Sequence, residues 1–351
     1  MNDLICEVKS HTLSFLRAAK TSRDTLLEKE VWYIRLSDRQ GKYGFGEIAP
    51  LFGLSVESRD EVLGAIRQMV TGLHPPEAYS STPSVRAGLE MALLDLNYPA
   101  SLQYADNAFV KGEQSQTING LIWMGDPAYM HEQIEQKLAL GFHTIKLKIG
   151  ALDFEKELSL LSGIRQRFSP EEITIRVDAN GAFGDDALHK LDRLARLNIH
   201  SIEQPIRAGQ PAKMAQLCRS TPLPIALDEE LIGTTSCAQK RELLDYINPQ
   251  HIILKPSLIG GFSEANDWIQ IAGTYGIPWW ATSALESNLG LSAIAQWTAG
   301  YNNDLPQGLG TGQLFSNNCP GRLQLEGEKL WHHPESECGF EQFWNGLDSV
   351  Q

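Results

Sequence analysis

Apolar residues follow two different rhythms along the 351-residue chain, and the change falls near residue 116. Before it, Val31-Trp32-Tyr33-Ile34-Arg35-Leu36 is rich in β-formers, and Gln40-Gly41-Lys42 reads as a hairpin-like break ahead of Tyr43-Gly44-Phe45-Gly46-Glu47. Helical spacing follows over 56–73 and 84–96, where Ala87, Leu89, Ala92, Leu93 and Leu96 recur at helical intervals. The opening segment therefore predicts an α+β module. Beyond it, short apolar runs alternate with helical stretches, the pattern of βα units and a parallel sheet. Strands are predicted at 117–121, 144–149, 173–178, 200–204, 224–228, 252–255, 278–282 and about 307–310. Eight strands in about 200 residues suit a closed β/α barrel. An open doubly wound sheet is the alternative, weakened because no G-x-G-x-x-G follows the first strand. The tail from about residue 316 has little periodicity but carries Trp331, Phe340, Phe343 and Trp344, and it is expected to pack back on the first module. The expected units are thus 1–112, 113–315 and 316–351.

Charge interrupts these apolar strands in a regular way. Burying a charge in a parallel strand is expensive unless it is paired or bound to a metal. Strand 144–149 carries Lys146 and Lys148 two residues apart, hence on one face, while Ile145, Leu147 and Ile149 point the other way. Strand 173–178 repeats this with Arg176 and Asp178 against Ile175 and Val177, and Glu203, Asp228 and Lys255 end the next three strands. Lys148, Asp178, Glu203, Asp228 and Lys255 are separated by 30, 25, 25 and 27 residues, each about one βα unit. A salt bridge or a helix cap explains any one of them alone; five at matching positions call for a shared cause. At the C-terminal mouth of a barrel, Asp178, Glu203 and Asp228 would stand side by side. Three converging carboxylates repel, and a hard divalent cation with oxygen ligands resolves the repulsion; Mg²⁺ is expected, with Mn²⁺ as a substitute. Lys148 and Lys255 would flank the ion from opposite sides.

That arrangement suits proton abstraction next to a carboxylate, where the developing enediolate needs preorganised positive charge. A lysine taking the proton has an ordinary pKa of about 10.4, whereas base catalysis at neutral pH wants roughly 7 to 8. Lys146 beside Lys148 is expected to push the latter down by like-charge repulsion. A barrel that binds metal without turnover is the non-enzymatic alternative.

Composition narrows the partners. Hydrophobic residues at 42% and charged residues at 21% are ordinary for a globular chain, and a net charge of -13 repels polyphosphate backbones and anionic lipid, so neither nucleic acid nor membrane is an expected partner. A small-molecule carboxylate is. The five cysteines are scattered without a C-x-x-C pair, the N-terminus lacks a basic region followed by an apolar one, and no run reaches the ~18 apolar residues of a membrane span. Reduced thiols and a cytoplasmic location are expected.

Lys146-Leu147-Lys148, Asp178-Ala179-Asn180, Glu203-Gln204-Pro205, Asp228-Glu229 and Lys255-Pro256, in that order and spacing, resemble the enolase superfamily in its muconate lactonizing enzyme branch. The resemblance implies a modified (β/α)7β TIM-type barrel under an α+β capping domain. It implies Asp178, Glu203 and Asp228 as Mg²⁺ ligands, Lys148 and Lys255 as the acid/base lysines, and Asn180 and Glu229 as their supports. Two further segments resemble the o-succinylbenzoate synthases of that branch: Gly46-Glu47-Ile48-Ala49-Pro50-Leu51-Phe52-Gly53-Leu54-Ser55 and Ser283-Ala284-Leu285-Glu286-Ser287-Asn288-Leu289-Gly290-Leu291. Arg176 fits the same pattern. Phe52, Ser55, Ser283, Glu286 and Ser287 become candidate substrate contacts. The implied reaction is a syn dehydration of a succinylated cyclohexadiene carboxylate in menaquinone synthesis, with Lys148 moving the proton and Lys255 stabilising the enediolate.

Racemases and dipeptide epimerases of the branch use the same two lysines and remain the alternative. Epimerases typically carry Asp-x-Asp at the seventh strand, where this chain has Thr282-Ser283-Ala284. Two departures from the relatives stand out: Glu230 follows Asp228-Glu229 where Ser is frequent, and Gly181 follows Asn180 where some synthases have Arg. Gly308-Leu309-Gly310-Thr311-Gly312 offers backbone N–H groups to a carboxylate, or simply closes the barrel. Trp279-Trp280 reads as core, His143 and His332-His333 as structural or exposed, and 18–25 as either a lid or an ordinary loop.

Overall fold

A computed structural model describes residues 1, 3–20, 25–123 and 125–350. The first module is an antiparallel sheet of β1 (Ile5–Lys20), β2 (Thr25–Ser37) and β3 (Tyr43–Ile48), in that order. Two helices cover one face: α1 (Arg59–Thr71) and α2 (Pro83–Asn97). A capping box between Ser58 and Glu61 starts α1, and Val62, Ile66 and Met69 at helical spacing turn into the core. There they meet Trp32, Ile34 and Leu36 of β2 and Val85 and Leu89 of α2. The backbone of β3 lies directly on α2, because at Gly46 an added Cβ would collide with the Gly88 carbonyl. Of the lid candidate 18–25, residues 21–24 lie outside the described residues.

The sequence pattern placed a single strand at 117–121, and the structure splits it. β4 (Gln116–Thr117) pairs with the tail, while β5 (Gly120–Ile122) begins the barrel. From there the chain runs through α3 (Pro127–Ala139), β6 (Thr144–Lys148), α4 (Phe154–Arg167), β7 (Thr174–Asp178), α5 (Ala187–Ala195) and β8 (Ser201–Glu203). It continues with α6 (Pro211–Ser220), β9 (Ile225–Leu227), α7 (Cys237–Ile247), β10 (His251–Leu254), α8 (Pro256–Ile259), α9 (Phe262–Thr274), β11 (Trp279–Ala281) and α10 (Asn288–Thr298). β5 to β11 form one parallel sheet in sequential order. The expected eighth strand at 307–310 is reduced to two parallel bridges, Ile118 with Gln307 and Thr282 with Gly308, which join the two edges of the curled sheet. Proline at 306 and glycines at 308 and 310 leave little of that segment able to sustain a ladder.

Along β6, Ile145 and Leu147 face the surrounding helices, as do Ile175 and Val177 of β7, and they merge into the main core. Inside the barrel a separate small cluster of Ala226, Ile253 and Trp280 fills the bottom. Trp279 points the other way, against Trp297 and Tyr301. The tail forms β12 (Leu323–Glu326) and β13 (Lys329–His332), a hairpin added to β4, followed by α11 (Phe340–Asn345). Phe340 and Trp344 of α11 pack on Phe45, with ring centroids 4.9 and 5.4 Å apart. His143 is exposed beside Glu328, and His332 bonds the Val110 carbonyl. All five cysteines are free, and no helix among the described residues is long and apolar enough to cross a membrane.

Candidate active site

Strand register assembles the site. Lys148 is paired with Asp178, and Asp178 with Glu203, across three neighbouring strands, so their side chains form one row at the mouth. Asp228 and Lys255 follow immediately on the ends of β9 and β10. One carboxylate oxygen from each of Asp178, Glu203 and Asp228 falls within 4.8 Å of the others, and all three residues are buried. Glu203 Oε1 and Asp228 Oδ1 are buried without a hydrogen-bond partner. Buried acceptors of that kind are costly, and a cation coordinated by three carboxylates would satisfy both. The residues present therefore fit a divalent metal.

Lys148 Nζ donates to Asn180 Oδ1 at 2.7 Å and to Asp178 Oδ2 at 3.0 Å, and Asn180 in turn donates to Glu229 Oε1 at 3.1 Å. Lys255 forms an ion pair with Asp228 on the far side of the carboxylates. Lys146, expected to act on Lys148 by repulsion, instead pairs with Glu203 and lies 2.9 Å from Asp178 Oδ2. Its ammonium is spoken for by carboxylates, which blunts any repulsion it exerts on Lys148.

Burial and charge pull against each other throughout the row. Burial works against the Lys146 ammonium, yet the attraction of Asp178, Glu203 and Asp228 is larger and raises its pKa. Lys255 behaves likewise, with Asp228 and Glu229 outweighing desolvation. Burial also works against the Asp178 carboxylate, but Lys146, Lys148 and Lys255 together hold it well below the usual carboxylate range. For Glu203, burial wins with help from Asp178 and Asp228 against Lys146, and its pKa rises to about 7. Three ammonium groups share the row with the carboxylates, so it is the unpartnered oxygens of Glu203 and Asp228, rather than an excess of negative charge, that suit a cation.

A cavity of about 340 Å³ opens above the row. Lys146, Lys148, Asp178, Asn180, Glu229 and Lys255 form its floor; Phe52, Ser283, Gly308 and Gly310 line its sides. Three other candidates stand elsewhere. Ser55 Oγ accepts from the Leu51 amide and so fixes the turn that carries Phe52. Glu286 is buried behind the wall, bonded to Ser257, Ser283 and the Ala284 amide. Ser287 caps α10 and donates to Glu47 at 2.6 Å. All three support the wall from behind rather than line it. Arg176 lies one layer below Asp178, fully buried, donating to the Pro306 carbonyl at 2.7 Å with its guanidinium 4.0 Å from the centre of the Trp280 ring. Glu230 turns away from the cavity to accept from Gln204 and the Gly209 amide.

Sequence reasoning missed much of the apolar cover, including Leu26 at the start of β2, Leu54, Leu121 and Trp123. It also missed Lys29 and Glu47, which are buried where the first module meets the barrel. Both stand in β-rich segments, where a charged residue reads as solvent-facing unless the opposing surface is known.

Residues 129–328 match the family model described as "Enolase C-terminal domain-like", which is more than half of the chain. The chain belongs to the enolase superfamily. Residues 15–96 match a second model, "MenC, N-terminal domain". Among enolase-superfamily relatives, a curated o-succinylbenzoate synthase from Desulfotalea psychrophila is 45% identical over 94% of this chain and 99% of its own length. The crystal structure titled MenC from the same organism superposes with a TM-score of 0.84 at 43% identity, covering 94% of this chain and 99% of that one. An L-Ala-D/L-Glu epimerase from Bacillus subtilis is 26% identical over 81% of each chain. Muconate lactonizing and epimerase structures near 20% identity share the fold, a TIM-type barrel under an α+β cap.

Proposed function

We propose that this chain is a dehydratase acting on 2-succinyl-6-hydroxy-2,4-cyclohexadiene-1-carboxylate, releasing water to give o-succinylbenzoate for menaquinone synthesis. The observation that carries this is the 45% identity, end to end, with an o-succinylbenzoate synthase. The site supports it: two lysines stand on opposite sides of a carboxylate triad, beneath a cavity whose walls include Leu26, Phe52, Leu121 and Trp123 and suit an apolar ring.

Asp178, Glu203 and Asp228 would hold Mg²⁺, or Mn²⁺ in its place. Once bound, the ion supplies positive charge to the carboxylate next to the reacting carbon. Lys148, held by Asn180 Oδ1 at 2.7 Å, takes the α-proton and passes it to the departing hydroxyl on the same face. Lys255, on the opposite face, places its ammonium against the developing enediolate and moves no proton. Asn180 and Glu229 orient Lys148 through their shared hydrogen bond. Arg176 supports the floor from below, and the Gly308 and Gly310 backbone offers itself to a substrate carboxylate.

A racemase or epimerase reading would use both lysines as bases. Against a dipeptide epimerase stand Thr282 and Ser283 in the pocket wall, where a substrate ammonium needs acidic partners. The scattered, free cysteines fit a reducing cytoplasm. The deciding experiment follows loss of the diene with Mg²⁺ and with EDTA, alongside α-proton exchange of N-succinyl amino acids and dipeptides in D₂O. Metal-dependent diene loss is expected. Exchange without diene loss would transfer the assignment to a racemase or epimerase, and silence in both would favour an untested substrate or a metal-binding barrel without turnover.

A further inference from the structure

Leu285 has φ +65°, a left-handed conformation unusual for a bulky side chain, and it lines the pocket next to Ala284 and Ser283. Strain of that kind persists only where the surroundings fix it. Here the fixing group comes from the capping module. Lys29 on β2 is 5% exposed and reaches across the seam to donate to the Ala284 carbonyl at 2.6 Å and the Leu285 carbonyl at 3.0 Å, with the Ala49 carbonyl 3.5 Å away. Three acceptors match the three protons of one ammonium. The amide side of the same loop is held as firmly: the Leu285 amide donates to Ser283 Oγ at 3.0 Å and the Ala284 amide to Glu286 at 2.8 Å. Glu47 on β3 accepts from the Ser287 and Gly290 amides, at 2.8 and 2.7 Å.

We propose that Lys29 is a positioning residue that holds Leu285 in its left-handed conformation across the cap–barrel seam and thereby sets the pocket wall for the ring-bearing substrate. The inference rests on the dehydratase reading for the identity of that substrate, but the conformational link is independent of it. Docking of the cap and the shape of the pocket become one event, because the lysine that ties the loop belongs to the cap while the loop belongs to the barrel.

The test is a double-mutant cycle of Lys29→Met with Leu285→Gly, since glycine takes φ +65° without help. In the wild-type background, Lys29→Met is expected to raise KM for the diene and Kd for o-succinylbenzoate about tenfold, with kcat within about threefold. In the Leu285→Gly background the same substitution is expected to change either constant by less than about threefold. Calorimetric Mn²⁺ binding to the metal-free protein should be unchanged by Lys29→Met, because the carboxylate row does not touch the seam. Hydrogen exchange of the 283–290 peptide should accelerate in Lys29→Met, and that readout needs no substrate. Equal losses in both backgrounds, a parallel loss of Mn²⁺ affinity, or unchanged exchange in 283–290 would overturn the proposal. If Lys29→Met alone does not fold, the double variant is expected to; failure of both would make Lys29 a packing residue. Should wild type leave the diene untouched, the dehydratase reading falls while the exchange experiment still decides the role of Lys29.

Discussion

Buried lysines and carboxylates stand together at the barrel mouth and again at the seam between cap and barrel, and the two places use them to opposite ends. At the barrel mouth, the row from Lys148 to Lys255 leaves Glu203 Oε1 and Asp228 Oδ1 without partners. At the seam, Lys29 and Glu47 spend their donors and acceptors on backbone groups of the 283–290 segment. At the mouth the unpartnered oxygens belong to three converging carboxylates, an arrangement that suits a cation. At the seam the Lys29 ammonium and the Glu47 carboxylate are both engaged by the chain itself, and there they hold a shape.

Substitutions can break this contrast. Removing Lys148 with Lys148→Ala should lower kcat by about 10³-fold, about 4 kcal/mol, while leaving the thermal midpoint near that of wild type. A steady-state assay beside a melting curve checks both, and a variant that retained activity would remove the mechanism.

Metal removal sharpens the same point through stability. A ligand at a hundredfold its Kd stabilises the fold by about 2.7 kcal/mol, so Mg²⁺ at saturating concentration should raise the unfolding midpoint by that equivalent. EDTA should abolish both the gain and the activity, and added Mg²⁺ should restore them. No shift on titrating Mg²⁺ would argue against the triad as a metal site.

At the seam the effect should fall on stability first. Glu47→Ala would orphan the Ser287 and Gly290 amides and the Ser287 hydroxyl, a loss of about 1–3 kcal/mol in urea unfolding. Glu47→Gln, which keeps one acceptor oxygen, should lose less.

The smallest expected effect concerns His200 and His251, whose rings lie 5.2 Å apart. Burial pushes the pKa of each down to about 4, and the Arg176 guanidinium adds to the push. An imidazole depressed in the fold from its ordinary value of about 6.5 favours the native state fully above that pH. That contribution is lost as pH falls from about 6.5 toward 4. The thermal midpoint should therefore drop across this window, and the drop should shrink in a His200→Gln/His251→Gln variant. Equal slopes in the two proteins would assign the acid sensitivity to other groups.

Which of these regions was legible in the sequence follows from how each is assembled. The mouth is built by strand register: Lys148, Asp178 and Glu203 sit at equivalent ends of successive strands, so chain spacing alone reports their neighbourhood. The barrel was visible for the same reason, its alternating faces written locally as Ile145/Lys146/Leu147/Lys148. The seam is built by docking. Lys29 and Leu285 are 256 residues apart, and nothing in either local pattern names the other. The pocket wall suffered in the same way: Ser287 and Glu286 share a segment with Ser283, yet a turn of backbone at Leu285 sends them behind the cavity. The weak eighth strand failed for a different reason, since Pro306 and the glycines beside it keep an extended shape without a ladder of hydrogen bonds.

The fully buried pair of Arg176 and Trp280, stacked across the barrel interior beneath the carboxylates, has a consequence for traffic. It stoppers the tube. The cavity lies on the carboxylate side of that plug, lined from the capping module by Leu26, Leu51, Phe52, Gly53 and Leu54. Substrate therefore meets the metal and the lysines from the cap side of the barrel, never through its floor.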